Sequence, residues 1–205
     1  MVTAAMVLTF VSLLHWVVTS TGLAASDLSA VRDLADYRNP LLLTLAKIIS
    51  ALGSPIAMVA VAAVVCLGLT WRLRRPEPVI FGIAGVGGIE LISVATKHMV
   101  ARSRPPMPLH AVTANGYSFP SGHAISSTLV ILLCTAMLTG WLVRLPGPRA
   151  IMWFGACVTI AAVGFSRVFL GVHYPSDVLA GWSLAIAWFS LLLLAAVVTA
   201  RPKPA

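Results

Sequence analysis

The stretch YSFPSGHAISSTLVILLCTAMLTGWLV, residues 117–143, joins a polar opening to a long apolar run. From residue 121 onward it contains no Asp, Glu, Lys or Arg, and about 20 such residues cross a bilayer as a helix. Pro, Ser, Gly and His at its start fit either a loop with a helix cap or an anion site built from N–H groups at a helix start.

The composition of the whole chain indicates an integral membrane protein. Of its 205 residues, 59% are hydrophobic and 10% charged, whereas soluble domains average about 25% charged residues. The net charge is +8, but the basic residues fall in short clusters between apolar runs, with no basic face and no aromatic-rich patch. We therefore expect a bilayer and an anionic substrate as partners, and no nucleic acid.

Hydropathy predicts an all-α, polytopic membrane protein, with residues 1–205 forming one domain. Six spans are expected, at about 3–24, 55–71, 78–100, 121–143, 150–168 and 178–199. The first run resembles a signal peptide in its small residues GLAAS, but no Lys or Arg precedes it, so we interpret it as a span.

Residues 27–52 carry apolar side chains at spacings of three and four, with a break at Asn39-Pro40 and an end at Gly53-Ser54-Pro55. This pattern fits two short helices lying at the membrane interface, or an ordinary structured loop.

The positive-inside rule does not orient the chain by a simple count. The loops and tail on the side of the termini carry Arg72, Arg74, Arg75, Arg144, Arg149, Arg201 and Lys203. The opposite side carries Arg32, Arg38, Lys47, Lys97, Arg102, Arg104 and Arg167. If Lys97, Arg104 and Arg167 are held by a substrate anion, the balance favours cytoplasmic termini.

Six spans bring three polar segments, distant in sequence, to one end of the bundle. They are Lys97–Arg104, Pro120–His123 and Ser166–Asp177. Each cation alone is explained by snorkelling to headgroups, but three together near hydrocarbon favour an anion among them, and arginine suits phosphate oxygens.

The PSGH segment completes such an anion site. We expect Pro120 in the first helical turn, with free N–H groups on Ser121, Gly122 and His123 facing a phosphate. Asp177 follows His173 by four residues, so its carboxylate can hold one imidazole nitrogen and leave the other free to attack. A purely structural hydrogen bond is the alternative for that pair.

These residues form three signatures: K-x6-R-P at Lys97, Arg104 and Pro105; P-S-G-H at 120–123; and S-R-x5-H-x3-D at Ser166, Arg167, His173 and Asp177. In them the chain resembles the type 2 phosphatidic acid phosphatase superfamily of membrane lipid phosphate phosphatases. The likeness covers the third to sixth spans, and the first fifty residues carry little of it.

The resemblance implies a role for each matching residue. His173 is the nucleophile that forms a phosphohistidine, Asp177 orients it, and His123 protonates the leaving group. The phosphoryl oxygens are held by Lys97, Arg104, Ser121, Gly122 and Arg167, while Ser166 is a supporting residue. No metal ion or cofactor is implied. Because His173 must be neutral and His123 protonated, turnover should depend on pH with a bell shape.

Four further polar residues lie near this site. Glu90, about two helical turns before Lys97, is either a hydrogen-bonded packing residue or a group that tunes the site. His98, Arg102 and His110 are expected to be solvated loop residues that border it.

The expected function is hydrolysis of a lipid phosphate monoester or diphosphate at the outer membrane face. Polyprenyl diphosphate or phosphate, phosphatidylglycerol phosphate and phosphatidic acid are the candidate substrates, and the bacterial plasma membrane is the expected location. A lipid-phosphate transporter or flippase could use the same cations without hydrolysis. A vanadium-dependent haloperoxidase shares the site pattern, but those proteins are generally soluble.

Overall fold

The computed structural model describes residues 1–141 and 148–199, and this part of the chain contains eight α-helices and no β-strand. In chain order they are α1 (Val2–Thr19), α2 (Asp27–Asp36), α3 (Pro40–Leu52), α4 (Pro55–Leu73), α5 (Glu77–Val100), α6 (Gly122–Ala136), α7 (Arg149–Phe169) and α8 (Pro175–Thr199). All except α2 and α3 belong to segments long and apolar enough to cross a membrane. The prediction of an all-α polytopic membrane protein is confirmed.

The first predicted span is too long at its C-terminal end. Helix α1 stops at Thr19, because Ser20 adopts the left-handed conformation with φ 54°. A short 3₁₀ helix, Gly22–Ser26, follows, and a Cβ on Gly22 would lie 2.6 Å from the Trp16 ring. The apolar composition of these residues therefore hides a tight turn rather than a longer span.

The other spans agree with the prediction to within three residues wherever the structure describes them. A π-helical turn, Met137–Trp141, extends α6, and the last two positions of the predicted fourth span, 142 and 143, lie outside the described residues. The same is true of three cations in the charge comparison, Arg144, Arg201 and Lys203.

Residues 27–52 form two short helices, which is the first of the two alternatives that the spacing of apolar residues left open. The Asn39 side chain accepts the Leu42 N–H (2.9 Å) ahead of α3. Ser54 caps α4 in the same way, and Pro40 and Pro55 each occupy the first turn of their helix. Local capping therefore sets the breaks that the sequence placed at 39–40 and 53–55.

Helix α6 is the centre of the bundle. It packs against α4, α5, α7 and α8, and its span is the most buried of the six. Helix α5 also approaches α8 closely, because a Cβ on Gly88 would lie 2.4 Å from the Trp188 ring and Trp188 donates to the Gly85 carbonyl (3.1 Å).

Four helix termini meet at one end of this bundle. Lys97, near the end of α5, donates to the Pro120 carbonyl just before α6 (2.7 Å). The Ser121 N–H donates to the Asp177 carbonyl in α8 (3.0 Å). Helices α2 and α3 pack against α7, with the apolar side chains of Val31 and Ala46 buried. The two short helices therefore cover the end of the bundle where the three signatures meet.

Replacing Gly171 by Ala should destabilise this end of the molecule. Gly171 has φ +74°, and a Cβ there would lie 2.0 Å from the backbone oxygen of Leu109. Gly116 is the matched control, since its φ is +72° but a Cβ meets nothing within 4 Å. The left-handed backbone alone costs about 1–2 kcal/mol. Thermal unfolding in detergent should show a larger loss of Tm for Gly171→Ala than for Gly116→Ala, and equal losses would contradict the packing argument.

Candidate active site

His173 lies in the short connection between α7 and α8 and is 2% exposed. Its Nε2 is 3.1 Å from Arg104 Nη1, and its Nδ1 is 3.4 Å from Asp177 Oδ2. A guanidinium can only donate, so Nε2 presents its lone pair and Nδ1 carries the hydrogen on the side of Asp177. Burial, which outweighs the attraction of Asp177, lowers the pKa of His173 to about 4, so the imidazole is neutral at physiological pH.

Asp177 is completely buried in the first turn of α8. Its Oδ1 accepts from Arg102 Nη1 (2.6 Å), and its Oδ2 accepts from the Tyr174 N–H (2.9 Å) and from the Ser118 hydroxyl. The 3.4 Å separation from His173 is longer than a normal N–H···O bond. The carboxylate is therefore fixed by three other donors and faces the imidazole.

Arg104 uses every N–H of its guanidinium on protein acceptors. Besides His173, these are the backbone oxygens of Asn115, Gly116, Tyr117 and Val172, at 2.7–3.3 Å. Burial lowers the pKa of Arg104 below its ordinary value, although Asp177 acts in the opposite direction. The side chain thus joins the imidazole to the loop that precedes α6.

Lys97 and Arg167 also have protein acceptors. Lys97 Nζ donates to the carbonyls of Pro120 (2.7 Å) and Tyr117 (3.2 Å). Arg167 is 6% exposed and donates through Nη1 to the Ser50 hydroxyl of α3. Its Nε is buried and makes no hydrogen bond within the described residues. Of the two, Arg167 therefore retains a buried donor for a further acceptor.

The start of α6 differs from the prediction by one to two residues. The helix begins at Gly122 and Ser121 is its N-cap, so the expectation of Pro120 in the first turn is wrong. The Ser121 N–H is not free either, because it donates to the Asp177 carbonyl. The first N–H groups without an intrahelical acceptor are those of Gly122, His123 and Ala124.

Two features leave this helix start accessible to an anion. A Cβ on Gly122 would meet nothing within 4 Å, so no packing contact requires a glycine there. The Ser121 hydroxyl is buried and makes no hydrogen bond within the described part of the chain. The Gly122 N–H and the Ser121 hydroxyl are therefore donors that a phosphate oxygen could use.

His123 lies in the first turn of α6 and is partly buried. It directly follows the segment that binds Lys97 through the Pro120 carbonyl and Asp177 through the Ser121 N–H. The structure therefore brings both histidines of the signatures and their three cations to the same end of the bundle.

Ser166 and Glu90 make local hydrogen bonds. The Ser166 hydroxyl donates to the Val163 carbonyl of its own helix (2.7 Å). Glu90 accepts from the Ser126 hydroxyl of α6 (2.5 Å), which satisfies one carboxylate oxygen between two spans.

Three residues at the border behave differently from one another. His98 is exposed, as expected, but it lies in the last turn of α5 rather than in a loop. His110 is half-buried, which differs from the expectation, and its Nε2 lies 2.8 Å from the Pro105 carbonyl oxygen. Arg102 is not a solvated loop residue, and that expectation is wrong. Its side chain is 16% exposed and pairs with both Asp27 (2.7 Å) and Asp177 (2.6 Å).

Sequence reasoning also missed Asp27 and Ser118, the partners of this arginine and of Asp177. Asp27 is 2% exposed and Ser118 is fully buried. An acidic residue at the start of an amphipathic helix is normally explained by the helix dipole. The role of Asp27 is visible only in the folded structure, where it contacts residues 75 and 149 positions away in the sequence.

Comparison with known proteins gives relatives that are similar over about half of the chain. Decaprenylphosphoryl-5-phosphoribose phosphatase of Mycobacterium tuberculosis is 40% identical over 114 residues, which are 54% of this chain and 56% of that protein. Phosphatidylglycerophosphatase B of Bacillus subtilis is 36% identical over 107 residues, 52% of each chain. Undecaprenyl-diphosphatase of Sulfolobus acidocaldarius is 35% identical over 136 residues, 63% of this chain and 59% of that protein. The chain spans about half the length of these curated relatives.

A solved structure shares the whole fold. The crystal structure of a transmembrane PAP2 type phosphatidylglycerolphosphate phosphatase from Bacillus subtilis superposes with a TM-score of 0.90, with 24% identity and 98% of each chain covered. The sequence model of the PAP2 superfamily matches residues 51–201, which include all three signatures. The chain is therefore a member of the PAP2 superfamily.

Proposed function

We propose that residues 1–205 form a single membrane domain that hydrolyses a lipid phosphate monoester or diphosphate through a phosphohistidine. The observation that carries this proposal is the arrangement at His173. Its Nε2 lone pair lies 3.1 Å from a cation that can neutralise phosphoryl oxygens, and its Nδ1 faces a buried carboxylate. That is the geometry of a nucleophile with an orienting partner.

Phosphate binding follows from the donors around this histidine. Lys97, Arg104 and Arg167 supply positive charge, while Ser121 and Gly122 supply donors at the start of α6. The Arg104 N–H groups are bonded to the carbonyls of residues 115–117. We infer that phosphoryl oxygens replace these carbonyls, so that substrate binding loosens the loop before α6 and frees Nε2.

The reaction has two steps that balance. In the first, Nε2 of His173 forms a bond to phosphorus, the bond from phosphorus to the leaving oxygen breaks, and His123 gives that oxygen a proton. The leaving oxygen is the lipid alkoxide oxygen of a monoester or the bridging oxygen of a diphosphate. In the second, His123 takes a proton from water, the water oxygen attacks phosphorus, and the bond to Nε2 breaks. Inorganic phosphate leaves and the imidazole is neutral again. Throughout, Asp177 stabilises the Nδ1–H of the charged ring.

The substrate class is a lipid because the site lies at the end of a bundle of membrane-spanning helices. The names of the relatives include a decaprenylphosphoryl-5-phosphoribose phosphatase, a phosphatidylglycerophosphatase and an undecaprenyl-diphosphatase. They support polyprenyl diphosphate or phosphate and phosphatidylglycerol phosphate as first candidates, with phosphatidic acid as a third.

We place the termini in the cytoplasm and the site at the outer face of a bacterial plasma membrane. Five of the seven cations on the site's side have protein acceptors, namely Arg38, Lys97, Arg102, Arg104 and Arg167. Within the described residues, only Arg32 in α2 and Lys47 in α3 are then left of that group to count as free charges, which supports this orientation under the positive-inside rule.

Phosphate release by the purified protein in detergent tests the proposal. We expect release from one or more of the three lipid classes, and we expect it to persist in EDTA because cations and imidazoles supply the chemistry. Vanadate should inhibit. A protein that binds these lipids but releases no phosphate would instead be the transporter or flippase that the same cations could serve, and loss of activity in EDTA would refute metal independence.

A further inference from the structure

Arg102 lies between two buried carboxylates from distant parts of the chain. Its Nη1 donates to Asp177 Oδ1 (2.6 Å) and to the Ser176 hydroxyl (2.8 Å), and its Nη2 donates to Asp27 Oδ2 (2.7 Å). The Tyr174 ring lies below the guanidinium, with the Arg102 Cζ 4.1 Å from its centroid. The side chain is therefore held on several sides, although it belongs to a loop.

Asp27 anchors this arginine to α8. Its Oδ1 accepts the Ser176 N–H (3.0 Å), and its Oδ2 accepts the Ser176 hydroxyl as well as Arg102. Asp27 is the first residue of α2, so the short helix is tied directly to the first turn of α8. Of the two carboxylates, that of Asp27 therefore holds Arg102, whereas that of Asp177 faces the His173 imidazole.

Arg102 also controls which oxygen of Asp177 meets the imidazole. The guanidinium takes Oδ1, which leaves Oδ2 on the side of His173 Nδ1. The Arg102 carbonyl accepts the Ser118 N–H (2.8 Å), and the Ser118 hydroxyl donates to Oδ2. Main chain and side chain of the same residue therefore set the position and the rotation of the carboxylate.

The positive charge of Arg102 also acts on Asp177 and, through it, on His173. The carboxylates of Asp177 and Asp27 outweigh the opposing effect of burial and raise the pKa of Arg102 above its ordinary value, so the residue stays cationic. Without it, Asp177 would be a buried carboxylate with less compensation, and its attraction for a protonated His173 would grow.

We propose that Arg102, held in place by Asp27, is a positioning residue that orients Asp177 Oδ2 toward His173 and limits the negative charge at that imidazole. The inference rests on the proposed role of His173 as nucleophile. Arg102 acts through Asp177 and does not touch the phosphoryl group, so its effect falls on kcat rather than on KM.

Three variants and two controls test the kinetic part. Arg102→Ala should lower kcat up to about 100-fold, the loss expected when a reacting group shifts by about 1 Å, with little change in KM. Arg102→Lys should recover part of kcat, since it restores the charge but not the two-armed contact. Asp27→Asn should lower kcat less than Arg102→Ala. Arg32→Ala and Asp33→Asn alter exposed residues of α2 and should leave kcat unchanged.

A titration of His173 separates positioning from mere stability. The charged or titratable groups that face this imidazole are Asp177, Arg104, Arg167 and His123. In Arg102→Ala the pKa of His173 should rise, because the cation that offsets the negative charge of Asp177 is lost while the carboxylate stays. The acidic limb of kcat/KM should therefore move to higher pH, and in Arg102→Lys it should stay near the wild-type position.

Histidine ¹⁵N NMR gives the same pKa without any turnover, with His173→Gln used to assign the signal. If Arg102→Ala lowers Tm and kcat but leaves the His173 titration in place, the role is structural and the proposal is overturned. Wild-type kcat in both Arg102→Lys and Asp27→Asn would overturn it even if Arg102→Ala fails to fold. A wild-type protein that releases no phosphate would refute the proposed function, while the NMR titration would still decide this inference.

Discussion

His173→Ala should lower phosphate release by at least about 10⁴-fold, as removal of a nucleophile does in other covalent enzymes. The imidazole supplies the lone pair at Nε2 and lies between Arg104 and Asp177. Turnover of a lipid phosphate by purified protein in detergent is the measurement, with size-exclusion and thermal unfolding profiles to show that the variant is folded.

The control is His98→Ala, which removes an exposed imidazole whose ring lies edge-on to Tyr117, 5.7 Å between centroids. It should retain wild-type turnover. Rapid quenching of the wild-type reaction should trap an acid-labile phosphoryl group, and His173→Ala should not form it. If His173→Ala keeps wild-type turnover, or if the phosphoryl group is found on another residue, the assignment of the nucleophile is wrong.

His123→Gln should lower lipid phosphate hydrolysis by about 10²–10⁴-fold, the usual contribution of a general acid or base. The reason is that a lipid alkoxide is a strong base and needs a proton to leave. A nitrophenolate does not, so the dependence on leaving group distinguishes an acid from a residue that only binds phosphate.

Rapid mixing with p-nitrophenyl phosphate makes that distinction measurable. We expect His123→Gln to give a burst of nitrophenol equal to the enzyme concentration, followed by slow turnover, because the second step still lacks its base. His98→Gln should behave as wild type. If the rate of the burst falls by the same factor as the rate of lipid hydrolysis, His123 binds the phosphoryl group and does not act as the acid.

The fold could be predicted because it depends on local signals, and the meeting of the three signatures at one end of the bundle follows from the order of the spans. Apolar length predicted the six spans, and the breaks predicted at 39–40 and 53–55 coincide with the starts of α3 and α4. The first span was overextended because Gly22–Ser26 is apolar but turns. Its end is set by the left-handed Ser20 and by the contact with Trp16, which hydropathy does not record.

The partners of the polar side chains at the site could not be predicted, because they come from distant parts of the sequence. Arg102 is two residues from Arg104 in the same loop, yet one pairs with carboxylates and the other with carbonyls and an imidazole. The expected free N–H of Ser121 is used by Asp177 for the same reason. No pattern along the chain states which partner a polar side chain finds across the bundle.

Asp27, Arg38 and Ser50 all precede residue 51, where the family match begins, and each contacts the end of α7, the start of α8 or the loop before α6. The residues that precede the family match therefore hold in place side chains that lie within it. A fragment trimmed to the residues of the family match would keep every residue of the three signatures. It would lose the side chains that accept hydrogen bonds from Arg167 and Arg102 and hold them in place. Grafting the three signatures onto another helical bundle would meet the same obstacle.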